Sequence, residues 1–267
     1  MRHRAPFAVM LSLLLLGFAG AQAGGLTLAN VRLTQGVLGP VRTDTKLLPG
    51  DSLVVSFDIT GITADPTGKV LYSMTTEVTD KAGKVLFRQP ARDMEGFNSL
   101  GGTTLPAYAQ IDIGLDQPTG DHVLKVTVTD RAAKKSATLT QNFHVLPKAF
   151  GVVRVHGTAD PEGQAPAGLL GVGQSLFVNF AVVGFTRGAN KQPNLQLEMH
   201  VLDDKGKPTV SKPFSGVVNK DVPANASAVP AQFLISLNRP GKFQVELKAI
   251  DDVAKKTVSH SFPLNVQ

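Results

Sequence analysis

The chain has 267 residues and a formal net charge of +6, and it contains neither cysteine nor tryptophan. Without cysteine there is no disulfide, no thiolate metal site and no lipid attachment at a cysteine. The basic surplus is scattered: residues 24–147 hold 12 basic and 12 acidic side chains, and residues 148–267 hold 13 and 9. The densest points, Lys205 with Lys207 and Lys255 with Lys256, lack the clustered, aromatic-interleaved stripe of a nucleic-acid binder, so no nucleic-acid partner is expected.

Arg2, His3 and Arg4 open the chain, Phe7 to Ala19 is an almost unbroken apolar run, and Ala21, Gln22 and Ala23 form a small-x-small site. This pattern predicts a signal peptide over residues 1–23, cleaved before Gly24. The run is shorter than the ~20 residues a membrane span needs. No later stretch approaches that length, so the mature chain is expected to be soluble and monomeric. Export without disulfides points to a bacterial periplasm or exterior, and the sequon at Asn225 carries little weight there.

From Gly50 to Pro90 and from Gly173 to Pro213 the chain aligns with itself without a gap, at an offset of 123 residues. Gly50 to Phe57 (GDSLVVSF) matches Gly173 to Phe180 (GQSLFVNF), and Val78 to Lys84 (VTDKAGK) matches Val201 to Lys207 (VLDDKGK). A repeat this long reads as a domain duplication. Within each copy the apolar period is two, the mark of half-buried strands. Leu53, Val55, Phe57 and Ile59 point inward and match Leu176, Val178, Phe180 and Val182. Tyr72, Met74, Thr76 and Val78 match Leu195, Leu197, Met199 and Val201. Ile111, Ile113 and Leu115 are aligned with Phe233, Ile235 and Leu237, and Leu124, Val126 and Val128 with Val245, Leu247 and Ala249. The last strands carry Phe143 and Val145, or Phe262, Leu264 and Val266. Ser52, Ser56 and Asp58 face outward. Asp80 to Gly83 and Asp203 to Gly206 read as turns opened by Asp and closed by a glycine with positive φ. About seven strands per copy, with no sustained helical period, predict an all-β chain of two tandem immunoglobulin-like β-sandwich domains at 24–147 and 148–267. The short join from Val145 to Phe150, restricted by Pro147, predicts a semi-rigid rod with Leu146, Ala149 and Phe150 between the domains.

The runs Gly120 to Asp130 (GDHVLKVTVTD) and Gly241 to Asp251 (GKFQVELKAID) resemble the penultimate strand of bacterial immunoglobulin-like domains. The resemblance covers both halves at the level of strand order. It implies modules that serve envelope proteins as spacers, adhesion units or ligand-binding units, and it carries over no functional residue. The chain has no cysteine pair or tryptophan of an antibody-type core, no Asp-Gly-Asp loop of polycystic-kidney-disease domains and no acidic linker of cadherins.

There is no nucleophile elbow, phosphate loop or dinucleotide fingerprint. His122, His144, His156, His200 and His260 lack metal-ligand spacing and read as exposed strand residues. Asp80, Asp130, Asp203 and Asp251, with Asp204 and Asp252 beside the last two, invite a calcium reading, but recurrence at strand ends reads better as turn capping. No catalytic residue, cofactor or metal is therefore assigned. Tyr72 and Tyr108 are the only tyrosines, and Tyr72 takes an inward slot, so a sugar platform is weakly supported. Phe97, Phe177 and Phe214 are the expected exposed apolar contacts. Segments 36–50, 91–105, 156–173 and 214–229 read as long loops of the kind that carry binding. Within the third, Ala165 to Gly173 is expected as an edge strand. The expectation is an exported, non-enzymatic binding or scaffolding protein of the cell envelope, meeting an envelope protein or polymer. Its alternatives are a periplasmic chaperone-like protein that donates a sheet edge, and a hydrolase or metal enzyme with a site assembled across loops.

Overall fold

Alternating apolar residues on twisted strands need a second apolar sheet to cover them, and the chain meets this need twice. The computed structural model describes residues 25–267; the signal-peptide reading lies outside the described residues. All regular structure among the described residues is strand. In the first sandwich β1 (Thr27–Thr34), β3 (Ser52–Thr60) and β6 (Thr104–Asp112) form one sheet, in the order β1-β3-β6. The facing sheet runs β2-β8-β7-β4-β5, from β2 (Lys46–Leu47), β8 (Lys135–Val145), β7 (Gly120–Asp130), β4 (Lys69–Asp80) and β5 (Val85–Phe97). The second sandwich repeats this order. Here β9 (Gly151–Thr158), β10 (Ser175–Val183) and β13 (Ala228–Ser236) face β12 (Phe214–Val218), β11 (Leu195–Leu202), β14 (Gly241–Asp251) and β15 (Lys256–Val266).

The inward slots carry the two cores. Leu53, Val55, Phe57, Ile59, Leu124, Val126 and Val128 fill the first, and Leu176, Val178, Phe180, Leu195, Met199, Val245 and Leu247 fill the second. Each fully buried side chain of this size contributes roughly 1.5–3 kcal/mol. On β3, however, Val54 and Ser56 of the outward face are also buried. Val54 lines the cleft at the junction, and the Ser56 hydroxyl lies 3.1 Å from that of Thr34.

Pairing registers correct one alignment. Leu53 pairs with Ile111, and its counterpart Leu176 pairs with Ile235. Ile111 therefore matches Ile235, not Phe233, and Ile113 matches Leu237. Leu115 has no inward slot: it lies beyond the end of β6 and is 40% exposed. The segment before β13 is one residue longer than that before β6, so the offset rises from 123 to 124; pairing Ile111 with Phe233 is a two-residue slip, which leaves the same face inward.

Three loop boundaries also move. Segment 91–105 is largely strand, because β5 continues past a bulge to Phe97 opposite Lys69. Segment 214–229 contains β12 and the start of β13. Ala165 to Gly173 forms no strand, yet Leu170 and Val172 each make one backbone bond to Gln267, at 2.8 and 3.0 Å. These bonds occupy the place of the parallel β2–β8 pairing in the first sandwich.

Candidate functional site

The repeated aspartates come first because they are the densest oxygen sites. Asp130 is fully buried; its Oδ1 accepts the Ala132 and Ala133 N–H groups and its Oδ2 accepts that of Thr63. Asp251 does the same with Val253, Ala254 and Thr186. Each carboxylate thus staples the turn after one strand to the loop after another. Burial works to raise the Asp130 pKa, but the three N–H groups outweigh it and hold it below the usual carboxylate range. Asp80 and Asp203 accept backbone N–H groups two and four residues on. Oxygens aimed at backbone donors are not aimed at a cation, and among the described residues no three His, Asp or Glu side chains form a metal-binding group.

The histidines do not converge, and all five depart from the exposed-strand reading: His122 is buried and the other four are half-buried. His122 is buried, stacked on Phe143 at 5.3 Å, with Nδ1 donating to the Gly120 carbonyl and Nε2 accepting from the Gln117 amide. His260 lies between the sandwiches, where Gln35 reaches its Nε2 at 3.1 Å. His144 pairs with Asp121 at 2.7 Å and His200 stands 3.9 Å from Glu198. His156 bonds the Arg154 carbonyl. Of the three phenylalanines, Phe97 and Phe214 are exposed, whereas Phe177 is half-buried.

The junction is a polar lock above a small apolar contact. Asp51, at the foot of β3, accepts Arg42 Nη1 through Oδ2 at 2.9 Å, with both side chains 8% exposed. Its Oδ1 accepts the Arg154 N–H from the second sandwich at 2.8 Å, and Arg154 Nε donates to the Gly50 carbonyl. Arg154 sits at φ +54° in a bulge of β9, as Asn30 does at φ +50° in β1. A non-glycine residue there is strained by about 1 kcal/mol or more, and the bonds to Asp51 and Gly50 hold it. Beneath the lock Leu48 packs on Val153, Ala181 and Val183. The approach is tight enough that a Cβ on Gly151 would meet Leu48 Cδ1. Beside the lock opens a cleft of about 320 Å³, and its strongest polar groups are already engaged with one another.

A second cavity has unengaged polar groups. A groove of about 430 Å³ runs along the open side of the first sandwich, between the β4–β5 rim and the edge of β6. Tyr72 enters it from β4 and Tyr108 from β6, joined by Gln89, Arg92, Gln110 and Asp112. Met74 and Met94 add apolar surface. The hydroxyls of Tyr72 and Tyr108 and the side chains of Gln89 and Arg92 have no hydrogen-bonding side-chain or backbone partner among the described residues. Burial, and then the neighbouring Tyr108, push the Tyr72 pKa up. The sequence placed these two tyrosines 36 residues apart on facing sheets, so only the folded chain brings them to one groove. By pairing register the second sandwich has Leu195 at the Tyr72 position, Gln232 at Tyr108, Leu234 at Gln110, Phe214 at Gln89 and Gly216 at Arg92. Gln232 is already bonded to Pro161 and Asn179.

The β5 strand is an outer strand of its sheet and exposes Val85, Leu86 and Phe87. Arg88 and Pro90 end that apolar run after three residues, and Arg88 is paired with Glu77. Charges and proline are the devices that keep an edge from accepting another strand.

No protein-family model matches the chain, and no curated protein matches it. Among solved structures it is similar to the C-terminal domain of the antigen I/II-family protein AspA of Streptococcus pyogenes, at 10% identity and a TM-score of 0.32, over 91% of this chain and 100% of that one. It is similar at 10% identity and a TM-score of 0.30 to the C-terminal domain of the antigen I/II polypeptide BspA of Streptococcus agalactiae, over 90% and 99% of the two chains. Red sea bream transglutaminase matches at 11% identity and a TM-score of 0.29; 93% of this chain spans 32% of that enzyme. Likenesses this distant assign the chain neither a family nor a role. Among the described residues no helix is long and apolar enough to cross a membrane.

Proposed function

We propose that the chain is an exported, non-enzymatic binding or scaffolding protein of the cell envelope, in the periplasm or outside the cell, built from a duplicated sandwich and meeting an envelope protein or polymer. The observation that carries this reading is the junction. A buried carboxylate, Asp51, is shared between an arginine of its own sandwich and the backbone of the other. Such an arrangement keeps two surfaces in fixed relation, which a scaffold needs and a flexible tether does not. Buried Asp130, Asp251 and His122 each hold backbone, and none of the three stands in an acid, base or nucleophile pair. The edge-donor reading is less favoured, because the apolar run on β5 is cut short by Arg88 and Pro90.

The test is direct. The natural precursor is expressed in a bacterial host, and the protein recovered from the envelope is sequenced from its N-terminus and assayed on ester, peptide and glycan substrates. A mature chain beginning at Gly24 with no turnover is expected. Cytoplasmic retention of the full precursor, or turnover at enzymic rates, would overturn the reading.

A further inference from the structure

Two cavities on the first sandwich share residues. Gln110 and Asp112 line both the tyrosine groove and the cleft at the junction. They alternate with Tyr108 along the outward face of β6, so the groove and the cleft are two ends of one trough. A trough suits a chain-like ligand better than a single small molecule, and its two parts, about 430 and 320 Å³, each fall within the roughly 300–1,000 Å³ of small-molecule sites.

The groups at the groove end indicate the chemistry. Tyr108, 47% exposed, offers an aromatic face for an apolar C–H surface; Tyr72, whose ring is packed in the core, lines the groove floor, and neither hydroxyl has a protein partner among the described residues. Gln89 and Gln110 offer amides that can both donate and accept, which matches vicinal hydroxyl groups. The neighbouring acidic residues of β5 are occupied, Asp93 by Arg131 and Glu95 by Lys69. Arg92 makes no salt bridge among the described residues, and its planar fork fits a carboxylate. In the second sandwich the matching positions carry Leu195, Gln232, Leu234, Phe214 and Gly216, and Gln232 is engaged with Pro161 and Asn179. The polar set is therefore peculiar to one copy and is not needed to build the sandwich.

We propose that the first sandwich binds an acidic polysaccharide, a uronate-type chain, in the trough that runs from Tyr72 and Tyr108 along β6 to the junction. The assignment rests on the reading of the chain as a binding protein and names its ligand class. A pyranose ring lies against Tyr108, its carboxylate pairs with Arg92, and the following sugars turn hydroxyls, not carboxylates, toward Gln110 and toward Asp112, which already accepts from Ser52 at 2.6 Å.

The protein supplies its own reporter. It has no tryptophan and its only two tyrosines line the groove, so intrinsic fluorescence reads this site alone. The mature chain is titrated with hexagalacturonate and with maltohexaose, by tyrosine emission and by calorimetry. Hexagalacturonate is expected to change the emission saturably and to bind at least tenfold more tightly than maltohexaose. Tyr108→Ala, at a position already 47% exposed, should weaken binding at least tenfold in calorimetry with an unchanged melting temperature. Arg92→Gln should abolish the preference for the acidic oligomer. Absence of any response to either oligomer, equal binding of both, or wild-type affinity in Tyr108→Ala would overturn the assignment while leaving the scaffold reading intact. Cleavage of an oligomer would overturn the non-enzymatic reading instead.

Discussion

The two sandwiches have the same strand order and different surfaces. Asp130 and Asp251 make the same three backbone bonds, and Lys134 and Lys255 take the same left-handed backbone in the turn that follows. Yet β5 has 13 residues and β12 has 5, and the Tyr72 slot holds a leucine in the second copy. The carboxylate staples recur in both sandwiches, because losing them costs stability in either. Features that face water differ, and there each copy has its own surface: an open polar trough on the first, and on the second the bulge residue Arg154 that engages its neighbour.

The comparison can be broken most severely at the staples. Asp130→Ala and Asp251→Ala each remove a buried carboxylate that accepts three backbone N–H groups, a loss of roughly 3–5 kcal/mol in each sandwich. Urea unfolding of the two variants should show similar losses. A tolerant copy would show that the shared geometry is not equally necessary. Asp51→Ala removes one partner of a buried ion pair and the bond across the junction, for about 3 kcal/mol. Its effect should include loss of coupling between the sandwiches, which neither staple variant should show.

The tyrosine slot sharpens the contrast at a smaller scale. Leu195→Tyr forces a larger ring into a fully buried position and should cost about 1–3 kcal/mol, whereas Tyr72→Leu, beside the open groove, should cost less. Equal costs in thermal melts would mean that Tyr72 is there for packing.

Acid should act on the first sandwich through Asp130. Its folded pKa is depressed, so its contribution is full above the ordinary carboxylate range and is lost as pH falls through the folded value. The smallest effect belongs to His260. Burial and then Arg42 lower its pKa, with Asp51 and Asp44 opposing. The neutral ring is favoured in the fold, so stability should decline modestly as pH falls below about 6.5 toward the folded value. His260→Gln should remove that slope from a series of melts.

Much of this architecture was legible in the sequence, and the reasons differ by residue. Leu53 to Ile59 and Leu124 to Val128 announce themselves because a strand half-buried against one core must alternate. The turn aspartates were legible because their partners lie a few residues away. The register of β13 was not, since the preceding segment is one residue longer in the second sandwich and a two-residue slip keeps the same face inward. The burial of His122 is not legible locally, because nothing in its neighbourhood announces the Gln117 amide and the Phe143 ring that cover it. The groove and the junction lock were invisible for the same reason: Tyr72 meets Tyr108, and Asp51 meets Arg154, only across folded distance.

The central claim is that the shared carboxylate at Asp51 makes two sandwiches behave as one body. Residual dipolar couplings measured on the mature protein in a weakly aligning medium test it most directly. One alignment tensor should fit both sandwiches in the wild type and should split in two when Asp51 is replaced by alanine. Separate tensors in the wild type would contradict the account.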